Sequence, residues 1–352
     1  MREFATRKAF ITGITGQDGA ILARFLLDKG YTVHGLQLYS ATNDTERLTQ
    51  IRNNPRFHLH HGDLTDGGNL HRLISTIQPH EIYNLGAQSH VKVSFDVPEA
   101  TANINALGTL RLLEAIRGTD IKFYQASSSE MFGSTAAPQN ENTVFAPCSP
   151  YASAKLYAYW LVRNYRDSYG VHASNGILFN HESPLRGEEF VTRKITRSVA
   201  AIIHGTQTEL TIGNLDAKRD WGHAVDYIEG MWLMLQQDKP DDYVLASGQS
   251  KNVRQFITAA FACAGIHLEW HGEGLNETAK DTRTGRILVR VDPQFFRANE
   301  VNHLQGDATK ARKTLGWKPK FSFTDLVEDM VRADLDAISN TQPQDYALHA
   351  AE

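Results

Sequence analysis

The chain has 352 residues, of which 41% are apolar and 22% are charged, a composition typical of globular proteins. Its formal charge of −4 disfavours bulk nucleic-acid binding, and no apolar run approaches the length of a membrane-spanning helix. Cys148 and Cys263 lie far apart and form no CxxC motif, so we expect neither a disulfide framework nor a cysteine-based zinc site. We predict about two domains, a cytoplasmic location, and binding to neither membrane nor nucleic acid.

In the first half of the chain, short β-rich segments alternate with helical segments. The predicted strands cover residues 8–12, 31–37, 56–60, 81–85, 121–126 and 173–179, and the predicted helices cover residues 20–29, 100–117 and about 150–169. Strands that alternate with helices favour a parallel sheet covered by helices on both faces. We therefore predict an α/β fold with a Rossmann-type doubly wound parallel sheet.

The alternation weakens after about Gly187, and the remaining segments predict a smaller, mainly C-terminal α/β lobe. Helices are predicted at residues 190–204, 224–237, 252–264 and 322–337, strands at 209–213 and 243–246, and a mobile loop at 271–285. The predicted domains are residues 1–187 for the Rossmann domain, to which some later segments return, 188–338 for the lobe, and 339–352 for a loose tail.

A glycine-rich turn follows the first predicted strand and opens the first predicted helix. Gly13, Gly16 and Gly19 form a GxxGxxG pattern there. Glycine lets the backbone approach a pyrophosphate, whose negative charge is favoured by the helix N-terminus. In this strand–turn–helix context the pattern predicts dinucleotide binding rather than a plain turn.

The residues after the second predicted strand leave the choice of dinucleotide open. An acidic residue there would bind the ribose of NAD and an arginine would bind the phosphate of NADP, but this chain has Leu38 and Tyr39. The nearest cation in the sequence is Arg47. Asp63, after the third predicted strand, can either accept a hydrogen bond from an adenine amine or cap the following helix.

Tyr151 and Lys155 are four residues apart in a predicted helix, so they share one helix face. An ammonium near a phenol lowers the pKa of the phenol from about 10 towards neutral pH. Such a phenolate can take the proton of an alcohol while hydride leaves the same carbon. A pair of exposed side chains on a surface helix is the alternative interpretation.

Ser128 and Glu130 lie at the end of the fifth predicted strand, where open α/β sheets bind their ligands. The Ser128 hydroxyl can therefore reach a substrate oxygen. Glu130 favours a dehydratase, because removal of a carbon-bound proton needs a base that simple alcohol oxidation does not need. The alternative is a loop glutamate that faces solvent.

Several runs of the sequence resemble a known family. They are residues 13–19, 83–91, 127–130, 151–155, 176–187 and 213–224. Together they resemble the extended short-chain dehydrogenase/reductases, and the last two runs narrow the resemblance to the GDP-mannose 4,6-dehydratases. The resemblance extends from about Lys8 to Asp336, which is nearly all of the chain.

The resemblance implies a lyase that converts GDP-mannose into GDP-4-keto-6-deoxymannose by oxidation at C4, elimination of water across C5 and C6, and return of hydride to C6. Tyr151 would be the base at the C4 hydroxyl, and Lys155 its electrostatic partner. Glu130 would remove the C5 proton. Ser128 stands where the family usually has threonine, so the hydroxyl is kept and the methyl group is lost.

The resemblance also implies a bound nicotinamide cofactor. The matching positions are Gly13, Thr15, Gly16, Gln17, Asp18, Gly19, Asp63, Leu64, Leu85, Ala87, Ser89, Lys155, His181 and Arg186. The family usually carries an arginine pair for the NADP phosphate where this chain has Leu38 and Tyr39. The resemblance favours NADP, while those two residues leave NAD possible.

The implied substrate positions would contact the GDP-sugar. They are Asn180, Val191, Lys194, Gly213, Arg219, Arg297 and Glu300. The family sequence Arg-Pro-Ala-Glu is Arg-Ala-Asn-Glu at residues 297–300, without the stiffening proline. Arg219 and Asp220 can equally form a structural ion pair. By resemblance, we also expect a homo-oligomer, either a dimer or a tetramer.

Three alternative functions remain at the level of sequence. The first is a sister dehydratase that acts on another GDP-manno sugar, such as a heptose. No residue distinguishes this function from the leading interpretation. An NDP-sugar epimerase or 4-keto reductase on the same fold is disfavoured by Glu130, because neither reaction needs that elimination base. A catalytically silent nucleotide sensor is disfavoured by the complete set of Ser128, Glu130, Tyr151 and Lys155.

Other conspicuous side chains are interpreted as structural. His34, His58, His60 and His61 have no carboxylate at ligand spacing, so we predict no metal site. The aromatic residues Trp221, Trp232, Phe295 and Phe296 are expected to pack in the core or the lobe.

Overall fold

A computed structural model describes residues 6–40, 45–296 and 301–340 of the chain. In chain order its strands are β1 (Lys8–Thr12), β2 (Thr32–Gln37), β3 (Phe57–His61), β4 (Glu81–Asn84), β5 (Lys122–Ser128), β6 (Ala173–Leu178), β7 (Asn180–Glu182), β8 (Leu210–Ile212), β9 (Lys218–His223), β10 (Tyr243–Leu245), β11 (Ser250–Asn252), β12 (Leu268–His271), β13 (Thr278–Asp281) and β14 (Ile287–Val291).

The helices connect these strands. They are α1 (Gln17–Asp28), α2 (Gly67–Ile77), α3 (Val93–Asp96), α4 (Pro98–Ala102), α5 (Gly108–Ile116), α6 (Pro150–Tyr169), α7 (Val191–Ile203), α8 (Ala224–Leu235), α9 (Val253–Cys263), α10 (Thr309–Leu315) and α11 (Phe323–Asn340). None of the helices within the described ranges combines the length and apolar character needed to cross a membrane.

A parallel sheet of seven described strands forms the larger part of the protein. Its order is β10-β6-β5-β4-β1-β2-β3, and every neighbouring pair runs parallel. Helices α1 and α8 cover one face through apolar residues such as Leu26 and Met231, while α2, α5 and α6 cover the other through residues such as Leu112 and Val162. The predicted Rossmann-type doubly wound fold is therefore confirmed.

Two small sheets form the lobe. One has the order β11-β9-β7 and the other β12-β13-β14-β8. Helices α7, α9 and α11 pack against this lobe through a separate apolar core that includes Ile195, Phe256 and Leu326. Strand β10 follows lobe strands in sequence but pairs with β6 in the large sheet. The exact domain boundaries stay a prediction; α11 continues through residue 340, and residues 341–352 lie outside the described ranges.

A single residue, Phe179, separates β6 of the large sheet from β7 of the lobe. The Phe179 amide donates to the Leu245 carbonyl of β10, at a distance of 3.0 Å. The chain thus passes from one sheet to the other at the carboxyl end of β6. This short crossing brings the lobe against the edge of the sheet where ligands of α/β proteins bind.

Two predicted elements differ from the structure. The predicted mobile loop at residues 271–285 is wrong, because β12 and β13 pair as an antiparallel hairpin there. Its polar sequence conceals an alternating pattern in which Ala279 and Asp281 point inward and are buried. The predicted helix over residues 100–117 is divided, because a wider turn at Asn103–Leu107 separates α4 from α5.

Helix α2 and strand β9 are among the elements that were not predicted. Helix α2 has an aspartate N-cap, with Asp66 accepting from the Asn69 amide, and it buries Leu70, Ile74 and Ile77 at helical spacing. Those signals were present in the sequence. Strand β9 has the sequence Lys-Arg-Asp-Trp-Gly-His, which gives no apolar alternation, although all but its first residue are buried.

Thr12 ties the end of β1 to the residues that follow β4. Its hydroxyl donates to Asn84 Oδ1 at 2.7 Å and accepts from the amides of Leu85 and Gly86 at 3.1 and 2.9 Å. Thr12 is fully buried, so its hydroxyl has no contact with bulk water. The contact fixes the spacing of two adjacent strand ends beneath the glycine-rich turn.

We expect Thr12→Val to lower the free energy of unfolding by about 2 kcal/mol, because the near-isosteric side chain leaves buried polar groups unpaired. Urea unfolding followed by circular dichroism measures the change. Thr12→Ser keeps the hydroxyl and is the matched control, with a smaller loss. Equal destabilisation of both variants would show that the methyl group, rather than the hydrogen bonds, accounts for the effect.

Candidate active site

A cleft of about 330 Å³ opens between the carboxyl ends of the large-sheet strands and the lobe. It contains most of the residues that sequence analysis assigned to catalysis and substrate binding. The predicted site residues along its walls are Asp18, Leu85, Ala87, Ser89, Ser128, Glu130, Tyr151, Lys155, Asn180, His181, Arg186, Val191, Lys194, Gly213 and Arg219. The fold thus brings residues from distant parts of the sequence to one cavity.

The glycine-rich turn connects β1 to α1 beside this cleft. Gly13 has a φ of +68°, and a Cβ atom at this position would lie 2.7 Å from the Gly86 nitrogen. A Cβ atom at Gly19 would lie 2.3 Å from the Gly13 carbonyl oxygen. Both positions therefore require glycine. The narrow turn ends at the N-terminus of α1, which fits the pyrophosphate of a dinucleotide.

The remaining predicted cofactor residues flank the cleft at this turn rather than line it. Leu64 is buried and packs near Gly86, while Asp63 accepts from the Thr65 amide at 2.8 Å. Helix α2 is capped by Asp66 instead. The alternative role of Asp63 as a helix cap is therefore wrong, and its carboxylate remains a candidate for contact with an adenine.

Leu38 and Tyr39 follow β2 at the outer end of the turn, with 60% and 78% of their surfaces exposed. Arg47 lies closer to the turn. Its Nε donates to the Leu185 carbonyl at 2.8 Å and its Nη1 to the Thr15 carbonyl at 3.2 Å. Arg47 thus connects the glycine-rich turn to the segment after β7.

Ser128, Tyr151 and Lys155 meet at the end of β5. Ser149 caps α6 through the Ala152 amide and Pro150 opens the helix, which sets Tyr151 and Lys155 on its buried face. The Ser128 hydroxyl hydrogen-bonds the Tyr151 phenol. Lys155 Nζ lies 5.8 Å from the centre of the Tyr151 ring. The arrangement has the geometry of an alcohol–ketone redox site with one phenol facing the cleft.

Lys155 and Glu130 are also held by the end of β5 and the turn after it. Lys155 Nζ donates to the Ala126 carbonyl at 2.8 Å. Glu130 belongs to a short 3-10 turn (Ser129–Phe132). The Glu130 amide donates to the Ser128 hydroxyl at a distance of 3.2 Å. The negative charge of the Glu130 carboxylate raises the pKa of Tyr151.

In the protein alone, burial has the largest effect on the pKa values of Tyr151 and Lys155. Burial raises the pKa of Tyr151 to about 12, although the Ser128 hydrogen bond lowers it; the Glu130 charge raises it further. Burial also lowers the pKa of Lys155 to about 8. The expected lowering of the phenol pKa is therefore wrong for the protein alone, because burial removes water from around the phenolate and has the largest effect on its pKa.

His181 and Asp18 join β7 to the first turn of α1. His181 Nε2 lies 2.8 Å from Asp18 Oδ2, and His181 Nδ1 lies 2.8 Å from the Phe179 carbonyl. Gln17 reinforces the junction by donating to Asp18 Oδ1 and to the His181 carbonyl. Ser183 in turn donates to Gln17 at 2.8 Å. The glycine-rich turn and the lobe are therefore bound directly to each other.

The lobe supplies cations to the far side of the cleft. Lys194 Nζ lies 3.3 Å from the centre of the Phe295 ring, and a Cβ atom at Gly213 would lie 2.7 Å from the Phe295 carbonyl oxygen. Asn180 and Val191 line the same wall. Arg297 and Glu300, predicted to contact the nucleotide, lie outside the described residues.

Arg219 and Asp220 have separate partners. Arg219 Nη1 donates to the carbonyls of Lys218 and Val301 at 3.0 and 2.7 Å. The Asp220 carboxylate accepts from the amides of Ser247, Gly248 and Gly306 and from the Ser247 hydroxyl. Asp220 therefore organises loops, while the Arg219 side chain lies at the cleft.

Sequence reasoning missed several residues of the cleft. Lys92 lines it and donates to the Gln294 carbonyl at 3.3 Å, which joins the two sides of the opening. Phe295 and Trp221 were assigned to packing; Trp221 does pack on Phe256, but both also face the cavity. Lys92 directly follows the run at residues 83–91, so its proximity to that motif was the available signal.

The histidines near β3 form a stacked group instead of a metal site. His34 stacks on His58 and His60 with ring centres 4.8 and 5.2 Å apart, and His34 Nδ1 lies 2.9 Å from His60 Nε2. Burial lowers the pKa of His34 to about 4, with the charges of His60 and His58 acting in the same direction. Across the described ranges, no group of three or more His, Cys, Asp or Glu side chains has an arrangement suited to a metal ion.

Solved structures share this fold at low sequence identity. The dTDP-glucose 4,6-dehydratase DesIV from Streptomyces venezuelae, with NAD and TYD bound, aligns with a TM-score of 0.80 and 23% identity over 94% of this chain and 98% of its own. RMD from Pseudomonas aeruginosa, complexed with NADPH, aligns with a TM-score of 0.73 and 23% identity over 94% of this chain and all of its own.

Closer relatives are found by sequence. The family model for GDP-mannose 4,6 dehydratase matches residues 10–330. A GDP-mannose 4,6-dehydratase from Sinorhizobium fredii is 58% identical over 95% of this chain and 98% of the relative. A human GDP-mannose 4,6 dehydratase is 52% identical over 95% of this chain and 93% of the relative. With a matching model and relatives of this similarity over nearly the whole length, the chain belongs to the GDP-mannose 4,6-dehydratase family.

Proposed function

We propose that this chain is a hydro-lyase that converts GDP-mannose into GDP-4-keto-6-deoxymannose. The observation that carries the proposal is the convergence of Ser128, Glu130, Tyr151 and Lys155 in one cleft with the cationic side chains of the lobe. A redox pair and a separate carboxylate in the same cavity suit a reaction that oxidises one carbon and eliminates water at its neighbours. Membership of the family supports GDP-mannose as the substrate.

The reaction has three chemical stages with no net redox change. Oxidation of C4 to a ketone acidifies the C5–H bond, and elimination then removes the C5 proton and the C6 hydroxyl. Hydride is finally added at C6 while C5 takes up a proton. A bound nicotinamide cofactor would supply the hydride acceptor and donor for the first and last stages. The cradle formed by Gly13 and Gly19 fits such a dinucleotide, because any side chain would fill it.

Tyr151 is the proposed base at the C4 hydroxyl. Its phenol faces the cleft and is aligned by the Ser128 hydroxyl, which also lowers the phenol's pKa. Lys155 contributes positive charge from the next helical turn while it stays protonated. Because the pKa of the phenol is about 12 in the protein alone, we expect turnover to rise with pH through the neutral range, as the phenolate becomes more populated.

Glu130 is the proposed base at C5. Its carboxylate and the Tyr151 phenol interact electrostatically across the end of β5, and C4 and C5 of the sugar are bonded to each other. Two bases for adjacent carbons must themselves be near neighbours. The same carboxyl group, once protonated, can assist departure of the C6 hydroxyl as water.

The lobe is proposed to hold the GDP portion of the substrate. Lys194 and Arg219 line the cleft and suit the negative charge of a diphosphate. Arg297 and Glu300 are assigned to the same role by resemblance alone. Assembly as a homo-oligomer likewise stays a prediction.

The cofactor is proposed to be NADP, with weak discrimination against NAD. Leu38 and Tyr39 supply no cation for the 2′-phosphate, and the Arg47 guanidinium donates to two backbone carbonyls. The related folds DesIV and RMD were solved with NAD and NADPH respectively, so the fold itself accommodates either.

Purified protein is expected to convert GDP-mannose into the 4-keto-6-deoxy product at basic pH, and Tyr151→Phe is expected to reduce kcat by about 10²- to 10⁴-fold. Substrate binding, measured by calorimetry, should persist because the ring remains. Tyr157→Phe on the exposed face of α6 is the matched control. Near-normal turnover by Tyr151→Phe would remove Tyr151 from the mechanism.

Glu130→Gln should separate oxidation from elimination, because the amide keeps the shape of the side chain but cannot accept the C5 proton. On addition of GDP-mannose, we expect partial reduced-nicotinamide absorbance, no dehydrated product and no solvent deuterium at C5. Glu99→Gln on the exposed surface of α4 is the control. An unaltered dehydration rate would mean that another group removes the proton, and loss of the absorbance would mean that Glu130 acts in the oxidation.

Leu38→Arg should tighten NADP binding by about tenfold relative to NAD, because a guanidinium can pair with the 2′-phosphate. Fluorescence titration of each cofactor measures both dissociation constants. Leu38→Gln is the uncharged control. If the wild-type protein already prefers NADP by several orders of magnitude, another residue binds the phosphate, and Arg47→Ala would be the next variant to test.

A further inference from the structure

The protonation of His181 follows from the two atoms that its ring faces. Nδ1 lies 2.8 Å from the Phe179 carbonyl oxygen and Nε2 lies 2.8 Å from Asp18 Oδ2. A carbonyl can accept a hydrogen bond but cannot donate one, and an ionised carboxylate is likewise an acceptor. Both ring nitrogens therefore donate when Asp18 is ionised, and His181 is an imidazolium. Tyr227 of α8 stacks on its face, with ring centres 4.7 Å apart.

The charges around Asp18 favour its ionised form. Burial would raise the pKa of the Asp18 carboxyl, but the charge and hydrogen bond of His181, the hydrogen bond from Gln17 and the charge of Arg186 together hold it below its usual value. Burial and the positive charge of Arg186 would lower the pKa of His181. The charge of Asp18 and its hydrogen bond hold that pKa above its usual value. The two groups therefore share an ion pair in the wall of the cleft.

The negative charge of Asp18 also affects residues of α6 and of the large sheet. Its charge acts on Lys155 and Tyr151 of α6 and on the buried Tyr124 of β5. For Lys155, burial lowers the pKa to about 8 and the charge of Asp18 opposes that fall. A negative charge at residue 18 therefore helps Lys155 to keep its proton.

The other cation near this junction has its own anion. Arg186 Nε lies 3.0 Å from Glu182 Oε2, and the same oxygen accepts from the Thr192 hydroxyl at 2.7 Å. The Glu182 carboxylate therefore pairs with Arg186 and also accepts a hydrogen bond from α7. Asp18 is the carboxylate that pairs with His181, and both residues line the cleft.

We propose that Asp18 is a positioning residue that serves as the counter-ion of His181 and keeps the imidazole ring protonated in the wall of the cleft. It acts through His181 rather than on the sugar. Because Asp18 is the second residue of α1, the proposal connects the glycine-rich turn to the charge of His181. Its kinetic consequence rests on the proposed dehydratase function; its effect on His181 does not.

The direct test is ¹⁵N NMR of the full-length protein labelled at histidine, with the His181 signal identified by its loss in His181→Gln. In wild type we expect the imidazolium to persist above the usual pKa of histidine. In Asp18→Asn burial is no longer opposed by the carboxylate, so His181 should lose its proton at a lower pH than in wild type. Asp28→Asn removes an exposed carboxylate from the other end of α1 and should match wild type.

Two results would overturn the proposal: a wild-type His181 that loses its proton at or below the usual pKa of histidine, or a titration midpoint in Asp18→Asn equal to that of wild type. The first needs no variant, so the test survives if Asp18→Asn does not fold. Asp18→Glu keeps the charge and should retain the imidazolium.

The second test is the pH profile of kcat with GDP-mannose. Loss of the negative charge at residue 18 should change the pH profile in Asp18→Asn, whereas Asp28→Asn should keep the wild-type profile. An unchanged profile in Asp18→Asn would contradict a kinetic role for this charge. If wild type shows the imidazolium but no turnover of GDP-mannose, the proposed function fails and the counter-ion pair stands.

Discussion

In the proposed mechanism, Tyr151 takes a proton from the sugar and Lys155 holds a positive charge, although both side chains are buried. Burial opposes the charged form of each, because it raises the pKa of the phenol to about 12 and lowers that of the ammonium to about 8. The surrounding site counters these effects with a hydrogen bond from Ser128 to the phenol and with the negative charge of Asp18 near the ammonium. Positive and negative groups in the cleft are thus arranged around one pair of buried side chains.

The route of the backbone explains how these groups meet. Thr12 fixes the ends of β1 and β4 below the glycine-rich turn. Phe179 alone separates β6 from β7, so the segment carrying His181 must begin at the edge of the large sheet. The hydrogen bonds between this segment and the first turn of α1 then hold the lobe against the nucleotide-binding half. A change at this junction should affect cofactor and substrate sites together.

Local sequence patterns were sufficient for the parts of the site that depend on local geometry. The spacing of Gly13, Gly16 and Gly19 predicted a tight turn, and the i, i+4 spacing of Tyr151 and Lys155 predicted a shared helix face. Both patterns reflect steric or helical constraints over a few residues. The alternation of strands and helices predicted the doubly wound sheet for the same reason.

The remaining features depend on tertiary contacts that the sequence does not reveal. The pKa of Tyr151 is governed mainly by its burial beneath other elements, whereas spacing alone suggested control by the nearby lysine. Residues 278–281 form a strand in which Ala279 and Asp281 point into the lobe, although three of its four residues are polar. Phe295 joins the cleft because Gly213 admits its backbone. Each depends on a partner far away in the chain.

The central claim is that one cleft oxidises C4, eliminates water and reduces C6 of the same sugar molecule. It is tested most directly with GDP-mannose carrying deuterium at C4, mixed with unlabelled substrate in ordinary water and analysed by NMR and mass spectrometry. The account predicts that the deuterium appears at C6 of the molecule that carried it, while C5 takes hydrogen from solvent. Loss of the label to water, or its transfer to the unlabelled molecules, would contradict a reaction completed within this single site.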